Sequence, residues 1–371
     1  MEPHLEKNVI ITSKFLKIYG VCAMTILLVI GIINIYIDPL FHYHKPLDGY
    51  AYILNDERYQ NNGILKTFDY DALIIGTSMT SNFKVSELNE LFGVNGVKTP
   101  FSGATYKEIA DNLYTALEAQ ENIKMVVMSV DYSSPIEEKD AYPEQDGNFI
   151  YPTYLMDKNF LNDVKYFWNK TIFFDKTMVV LQNTKNGGST TDFDSYGNWA
   201  DAYTFGLEAV LDAGYTKSEN YASDNVMLSE EDAQIVRESI QQNVVEIARQ
   251  YPNVDFYIFI PPYSICWWES TKSWGGTDML IEILRIKIEE MLEQDNIHIY
   301  AFGDREDIVC NLDNYKDTIH YGPWINSEIL CGMKVENGNI TKDNYEEYLD
   351  RISTLYNNYD YSSIFSTEER Q

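Results

Sequence analysis

Between Lys17 and Asp38 runs IYGVCAMTILLVIGIINIYI, twenty residues without a charge. A helix needs about 20 apolar residues to cross a hydrocarbon core about 30 Å thick, so residues 18–37 read as a transmembrane helix. Lys7, Lys14 and Lys17 precede the run, and Asp38 follows it. Basic flanks stay in the cytoplasm. Residues 1–17 therefore read as a cytoplasmic tail, and the remainder as the outer part of a single-pass cell-membrane protein. A cleaved signal peptide has a shorter apolar stretch and a small-x-small cleavage site, neither of which is evident. Cys22 is a poor lipoprotein cysteine, because the apolar run continues beyond it. A buried helix of a soluble protein fits poorly with a run so long and uncharged.

No comparable segment occurs in the rest of the 371 residues. Apolar residues make up 45% of the chain, enough for one large core or two ordinary ones. That content, with ordinary Gly and Pro, excludes collagen-like, coiled-coil and disordered classes. Lys and Arg number 28 against 57 Asp and Glu, a net charge of -29. Such a surface repels phosphate backbones and argues against a nucleic-acid partner. Four cysteines without C-x-x-C or Cys/His spacing give no structural zinc site, and no cofactor motif is present. Cys310 and Cys331 form the shortest candidate disulfide loop, with free thiols the equal alternative. The sequons at Asn169 and Asn339 depend on the host.

Residues 38–67 read as a connector. Beyond them DALIIG (71–76), KMVVMSVD (124–131), VDFYIFI (254–260) and NIHIYAF (296–302) are short apolar runs with polar or Pro boundaries, as buried parallel strands are. Helical patterns at 105–119, 229–250 and 277–292 alternate with them. The expectation is an α/β fold, a three-layer doubly wound parallel sheet spanning 68–371. A last helix, 342–356, spaces Tyr345, Tyr348, Leu349, Ile352, Leu355 and Tyr356 for core packing. Between residues 133 and 228 the periodicity fails, as in a long inserted subdomain or lid.

Open α/β sheets place their sites at the carboxyl ends of the strands. The first strand runs into Gly76-Thr77-Ser78. A serine on a tight turn after a strand suits a nucleophile with backbone N–H groups beside it, or equally a helix N-cap. Near the C-terminus stands Asp317-Thr318-Ile319-His320, where a carboxylate can fix the tautomer of an imidazole that removes a hydroxyl proton. Of five histidines, His4, His42 and His44 flank the anchor and His298 lies in a strand pattern. His320 is the well-placed general base.

A Gly-x-Ser turn after the first strand with a late D-x-x-H resembles the SGNH/GDSL hydrolase superfamily, a flavodoxin-like fold. The anchor, the Y-I-D-P segment (36–39) and an external domain are similar to envelope members acting in teichoic-acid D-alanylation or exopolysaccharide O-acetylation. The resemblance covers roughly 71–131 and 254–330. It implies Ser78 as nucleophile, Asp317 and His320 as acid and base, and Gly103, in FSGA, as an oxyanion donor beside the Ser78 N–H. It also implies a membrane-bound O-acyltransferase as partner and a cell-surface polysaccharide or teichoic acid as acceptor. Two positions depart from the pattern. Thr77 replaces the usual aspartate, and Asp131 stands where the family has an asparagine. An ionised Asp131 opposes an oxyanion, a protonated one can donate to it, and the simpler reading is a cap on the following turn.

Tyr263, Trp267 and Trp324 lie near the expected rim, where aromatics stack on sugars or pack a loop. The leading function is an envelope-anchored serine esterase or acyltransferase. The alternative is a non-catalytic glycan-binding or assembly protein on the same scaffold. A metal phosphoesterase lacks a clustered ligand set.

Overall fold

In the computed structural model, residues 2–132, 134–143, 152–156, 159 and 161–365 are described, apart from the side chains of 2–13, 153 and 365. The chain divides into two compact units, one of Met1–Phe68 with Tyr151–Thr191, the other of Asp69–Ile150 with Asp192–Gln371.

The first unit begins with the helix Glu2–Ile37, of which Lys14–Ile37 is long and apolar enough to cross a membrane. The chain leaves it at Asp38, whose φ of 47° turns the backbone sharply. The Asp38 carboxylate then accepts the backbone N–H groups of His42, Tyr43 and His44 at 2.7–3.0 Å and the Tyr166 hydroxyl at 2.5 Å. Residues 38–67, expected as an open connector, contain the helix Glu57–Thr67. They bond to the returning segment through Ala51 N–H to Thr184 Oγ1 and Leu54 N–H to Thr191 Oγ1. The stretch 133–228, expected as an insertion, is divided between the two units. Hydrogen bonds to Asp38 and Ala51 draw 151–191 to the helix exit, while 192–228 packs with the sheet unit.

The second unit is built on six strands: β1 (Ala72–Gly76), β2 (Gly96–Pro100), β3 (Met125–Ser129), β4 (Asp255–Ile260), β5 (Ile297–Ala301) and β6 (Asn339–Ile340). Their order across the sheet is β2-β1-β3-β4-β5-β6. The first five run parallel, and β1 to β3 are buried at every residue; β1 and β3 therefore read as continuous apolar runs, whereas β2, GVKTP, carries Lys98 and Thr99 and does not. The doubly wound parallel sheet expected from the sequence is present, with one antiparallel strand added at its edge. β6 pairs antiparallel with β5, and at two residues it is too short to leave a period.

Helices cover both faces of this α/β sheet. Tyr106–Ala119, Glu230–Ile240 with Glu246–Gln250, and Thr277–Met291 lie together on one face, while Val85–Phe92 and Pro323–Val335 meet on the other. The helix Tyr345–Asn358 buries Tyr348, Leu349, Ile352 and Tyr356, and stacks Tyr356 on Trp268 at 3.9 Å. The core reading of that stripe holds for these four residues, while Tyr345 and Leu355 are only half-buried. All four cysteines are free thiols. Winding reverses at β1, so the crevice of the sheet opens beyond the carboxyl ends of β1 and β3.

Candidate active site

β1 ends at Gly76, where φ is +155° and a Cβ would fall 2.7 Å from both Ser129 Oγ and Thr80 Cγ2. Only glycine fits this φ with the Ser129 and Thr80 side chains so close. The chain then enters a single 3₁₀ turn, Ser78–Thr80. Its N-cap is Thr77, whose hydroxyl accepts the Met79 N–H at 3.3 Å. Ser78 thus has no capping duty, and its half-buried hydroxyl lies 2.8 Å from His320 Nε2.

His320 is delivered by a loop that folds on itself. Tyr315 and Tyr321 bridge across it, and Lys316 N–H bonds the His320 carbonyl at 3.0 Å. Ser264 Oγ and the Tyr315 hydroxyl fix this loop to the end of β4, donating to the carbonyls of Thr318 and Pro262 at 2.7 Å each. At its tip Asp317 Oδ1 accepts the N–H groups of Ile319 (2.8 Å) and His320 (2.7 Å), a side-chain-stabilised turn. Its Oδ2 faces His320 Nδ1 at 2.8 Å and the Lys316 ammonium at 2.6 Å. Burial works against the charge on Asp317, but the His320 ring, the Lys316 ammonium and the backbone donors outweigh it and hold the carboxyl well below the usual range. A permanently ionised acceptor at Nδ1 keeps the proton there and leaves Nε2 as the acceptor for the Ser78 hydroxyl.

Ser78, Gly103 and His320 line one cleft of about 570 Å³. Gly103 has φ +66°, with open space where a Cβ would stand. Among the described residues neither the Ser78 nor the Gly103 N–H has an acceptor within the protein. Two such donors at the mouth of the nucleophile turn can receive a developing oxyanion.

Asp131 is engaged elsewhere. Its Oδ2 accepts the hydroxyls of Thr77 (2.8 Å) and Ser129 (3.0 Å), and its Oδ1 accepts that of Tyr263 (2.9 Å). These partners are hydroxyls rather than the backbone of the following turn. Burial raises its pKa, opposed by the three hydroxyls and Lys287. Both departures from the family pattern, Thr77 and Asp131, thus form one bonded pair that braces the nucleophile turn.

The aromatics are distributed differently from the sequence expectation. Tyr263 lines the cleft but is buried, its hydroxyl spent on Asp131. Trp267 packs among Tyr132, Tyr263 and Trp268 and is not part of the lining. Trp324, 45% exposed, also lies outside it, with its edge on Phe205 and its Nε1 on Asn314 Oδ1 at 2.8 Å. The cleft wall instead comes from Trp199 and Tyr203, in the stretch without periodicity. Trp199 sets its edge on His320, with centroids 5.4 Å apart, and its backbone N–H on Asn82 Oδ1 at 3.3 Å. Lys316 Nζ lies 5.0 Å from the Trp199 ring and 4.5 Å from that of Tyr203.

Behind the cleft, Lys287 is fully buried, donating to the Tyr106 hydroxyl (3.1 Å) and the Asp131 carbonyl (3.2 Å). Glu137 Oε1 accepts the Tyr106 N–H at 2.6 Å. Burial pushes the Glu137 carboxyl up to about 7, against the Tyr106 N–H and Lys287. A raised acid contributes stability that is complete below its unfolded pKa and is lost as pH rises through the folded value. Glu137→Gln keeps the acceptor and removes the titration. It is expected to flatten the decline in stability between about pH 4.5 and 7 by on the order of 3 kcal/mol. Urea unfolding across that range checks this, and an unchanged slope contradicts it.

No family model matches the chain, and no curated protein matches it. Among solved structures, one described as a "putative platelet activating factor from Streptococcus pneumonia" aligns over 79% of this chain and 90% of its own, at 10% identity and a TM-score of 0.37.

Proposed function

We propose that this chain is a membrane-tethered serine esterase or acyltransferase of the cell envelope, acting through Ser78, His320 and Asp317. One observation carries the reading: hydroxyl, imidazole and carboxylate stand in series at 2.8 Å and 2.8 Å, in a cleft with two unengaged backbone donors. His320 Nε2 takes the proton as Ser78 Oγ attacks an acyl carbonyl. The Ser78 and Gly103 N–H groups receive the oxyanion. His320 then passes the proton to the departing alcohol, leaving the acyl group on Ser78. Water or a glycan hydroxyl, deprotonated by the same ring, takes the acyl group and restores the serine.

The apolar helix Lys14–Ile37 supports the tether, and Lys7, Lys14 and Lys17 at its N-terminal side support a cytoplasmic N-terminus with the chain beyond Asp38 outside. The motif resemblance supports a cell-surface polysaccharide or teichoic acid as acceptor and a membrane-bound O-acyltransferase as acyl donor. Purified full-length protein in nanodiscs, given p-nitrophenyl acetate and an O-acetylated glycan, tests the reading. A burst of nitrophenol followed by acetate release is expected. Glycan binding without turnover would instead make it a binding or assembly protein.

A further inference from the structure

The helix Glu2–Ile37 does not stand alone along its whole apolar length. Gly31 is buried, and a Cβ there would lie 3.3 Å from Trp168 Nε1. That indole N–H donates to the Leu27 carbonyl at 2.9 Å. One turn on, Asn34 is 0% exposed, with Nδ2 on the Phe167 carbonyl (2.9 Å) and Oδ1 accepting the Thr177 hydroxyl (2.8 Å). Leu27, Gly31 and Asn34 share one helix face, so a small-residue notch and a satisfied polar side chain seat residues 164–177 against the apolar helix. Membrane helices are joined by this pairing of small and polar residues.

Depth follows from helix geometry. At 1.5 Å per residue, a hydrocarbon core of about 30 Å takes about 20 residues. Laid over the uncharged run 18–37, it ends at Ile37. The contacts of Phe167 and Trp168 at Asn34 and Gly31 then fall about 5 and 9 Å inside that boundary. On the same segment Phe174 is 63% exposed and Trp168 51%, with Leu161, Val164, Met178 and Val179 also exposed. They add to the exposed apolar surface of the helix itself, where Leu28, Ile32 and Tyr36 stand open. Lys165 and Lys170 are exposed beside them, in a chain of net charge -29. Exposed apolar side chains flanked by lysines mark a segment lying in the headgroup–acyl boundary, about 5–10 Å deep.

We propose that residues 161–179 form an interfacial anchor, immersed in the headgroup–acyl boundary of the bilayer against the C-terminal third of the membrane helix. The occupant of this face is lipid. The inference rests on the membrane reading of Lys14–Ile37, and the test separates the two.

The full chain is reconstituted alone in phosphatidylcholine–phosphatidylglycerol vesicles, with an NBD probe at one cysteine at a time. The sites are native Cys22 in a Cys331→Ser background, and Phe174→Cys or Glu231→Cys in a Cys22→Ala, Cys331→Ser background. Phe174 and Glu231 are exposed, so neither exchange removes a core contact. At position 174 we expect quenching by doxyl-labelled lipids and reduction by aqueous dithionite at least several-fold slower than at 231. Dithionite reduction at 174 as fast as at 231, with Cys22 lipid-quenched, overturns the anchor and leaves the membrane helix intact. Protection at 174 without lipid quenching shows a second copy covering the face and also overturns it. A Cys22 probe unquenched by lipid removes the membrane reading and the anchor with it.

Discussion

Ser78→Ala is expected to lower ester turnover by about 10³-fold or more while leaving the fold in place. The hydroxyl is the only atom of the relay that bonds to the acyl group. Its removal leaves the cleft, the Gly103 donor and the His320–Asp317 pair unchanged. Residual acceleration would come from the oxyanion donors and binding alone, as it does when a triad loses a member. Thermal unfolding of the variant is expected within a degree or so of the parent, because Ser78 neither caps the turn nor fills the core. Steady-state hydrolysis of p-nitrophenyl acetate measures the loss. Turnover retained within about tenfold would place the nucleophile elsewhere.

Asp317→Asn is also expected to be costly, on the order of 10⁴ in turnover. The amide oxygen can still accept the Ile319 and His320 N–H groups, so the loop keeps its turn. Its NH₂ group, however, meets Nδ1 and reverses the imidazole, whose Nε2 then carries a proton and faces Ser78 as a donor. Stability responds in the opposite sense to that of Glu137. The folded pKa of Asp317 lies below its unfolded value, so its contribution is present above the ordinary carboxylate range and is lost as pH falls through the folded value. The variant should therefore be less stable at neutral pH and nearly equal to the parent in strong acid. Parallel kinetics and urea unfolding separate the catalytic loss from the structural one. A decline of less than about tenfold at neutral pH would show that the carboxylate does not set the tautomer.

Where a position is fixed by local chemistry, it was legible in the sequence. Gly76-Thr77-Ser78 and Asp317-to-His320 are short patterns in which backbone strain, turn geometry and acid–base roles restrict the residue type. The apolar runs of β1 and β3 were visible because strands buried on both faces carry no polar alternation, and those of β4 and β5 because their last three residues are buried. The cleft wall was not visible. Trp199 reaches the site because the loop before it is fastened by Asp194, whose carboxylate takes the Ser86 N–H and hydroxyl at 2.9 and 2.5 Å. No period or motif encodes that path. The Thr77–Asp131 pair is likewise set by how β1 and β3 lie side by side, a relation between residues 54 apart. The division of 133–228 between two units depends on hydrogen bonds to Asp38 and Ala51, more than 100 residues earlier.

The whole mechanism depends on an activated serine hydroxyl at position 78. Intact-mass and peptide mass spectrometry after treatment with a fluorophosphonate tests it most directly. One adduct per chain is expected, carried by the peptide containing Ser78 and absent in His320→Ala. An unmodified Ser78 peptide, or labelling undiminished when the imidazole is gone, would contradict it.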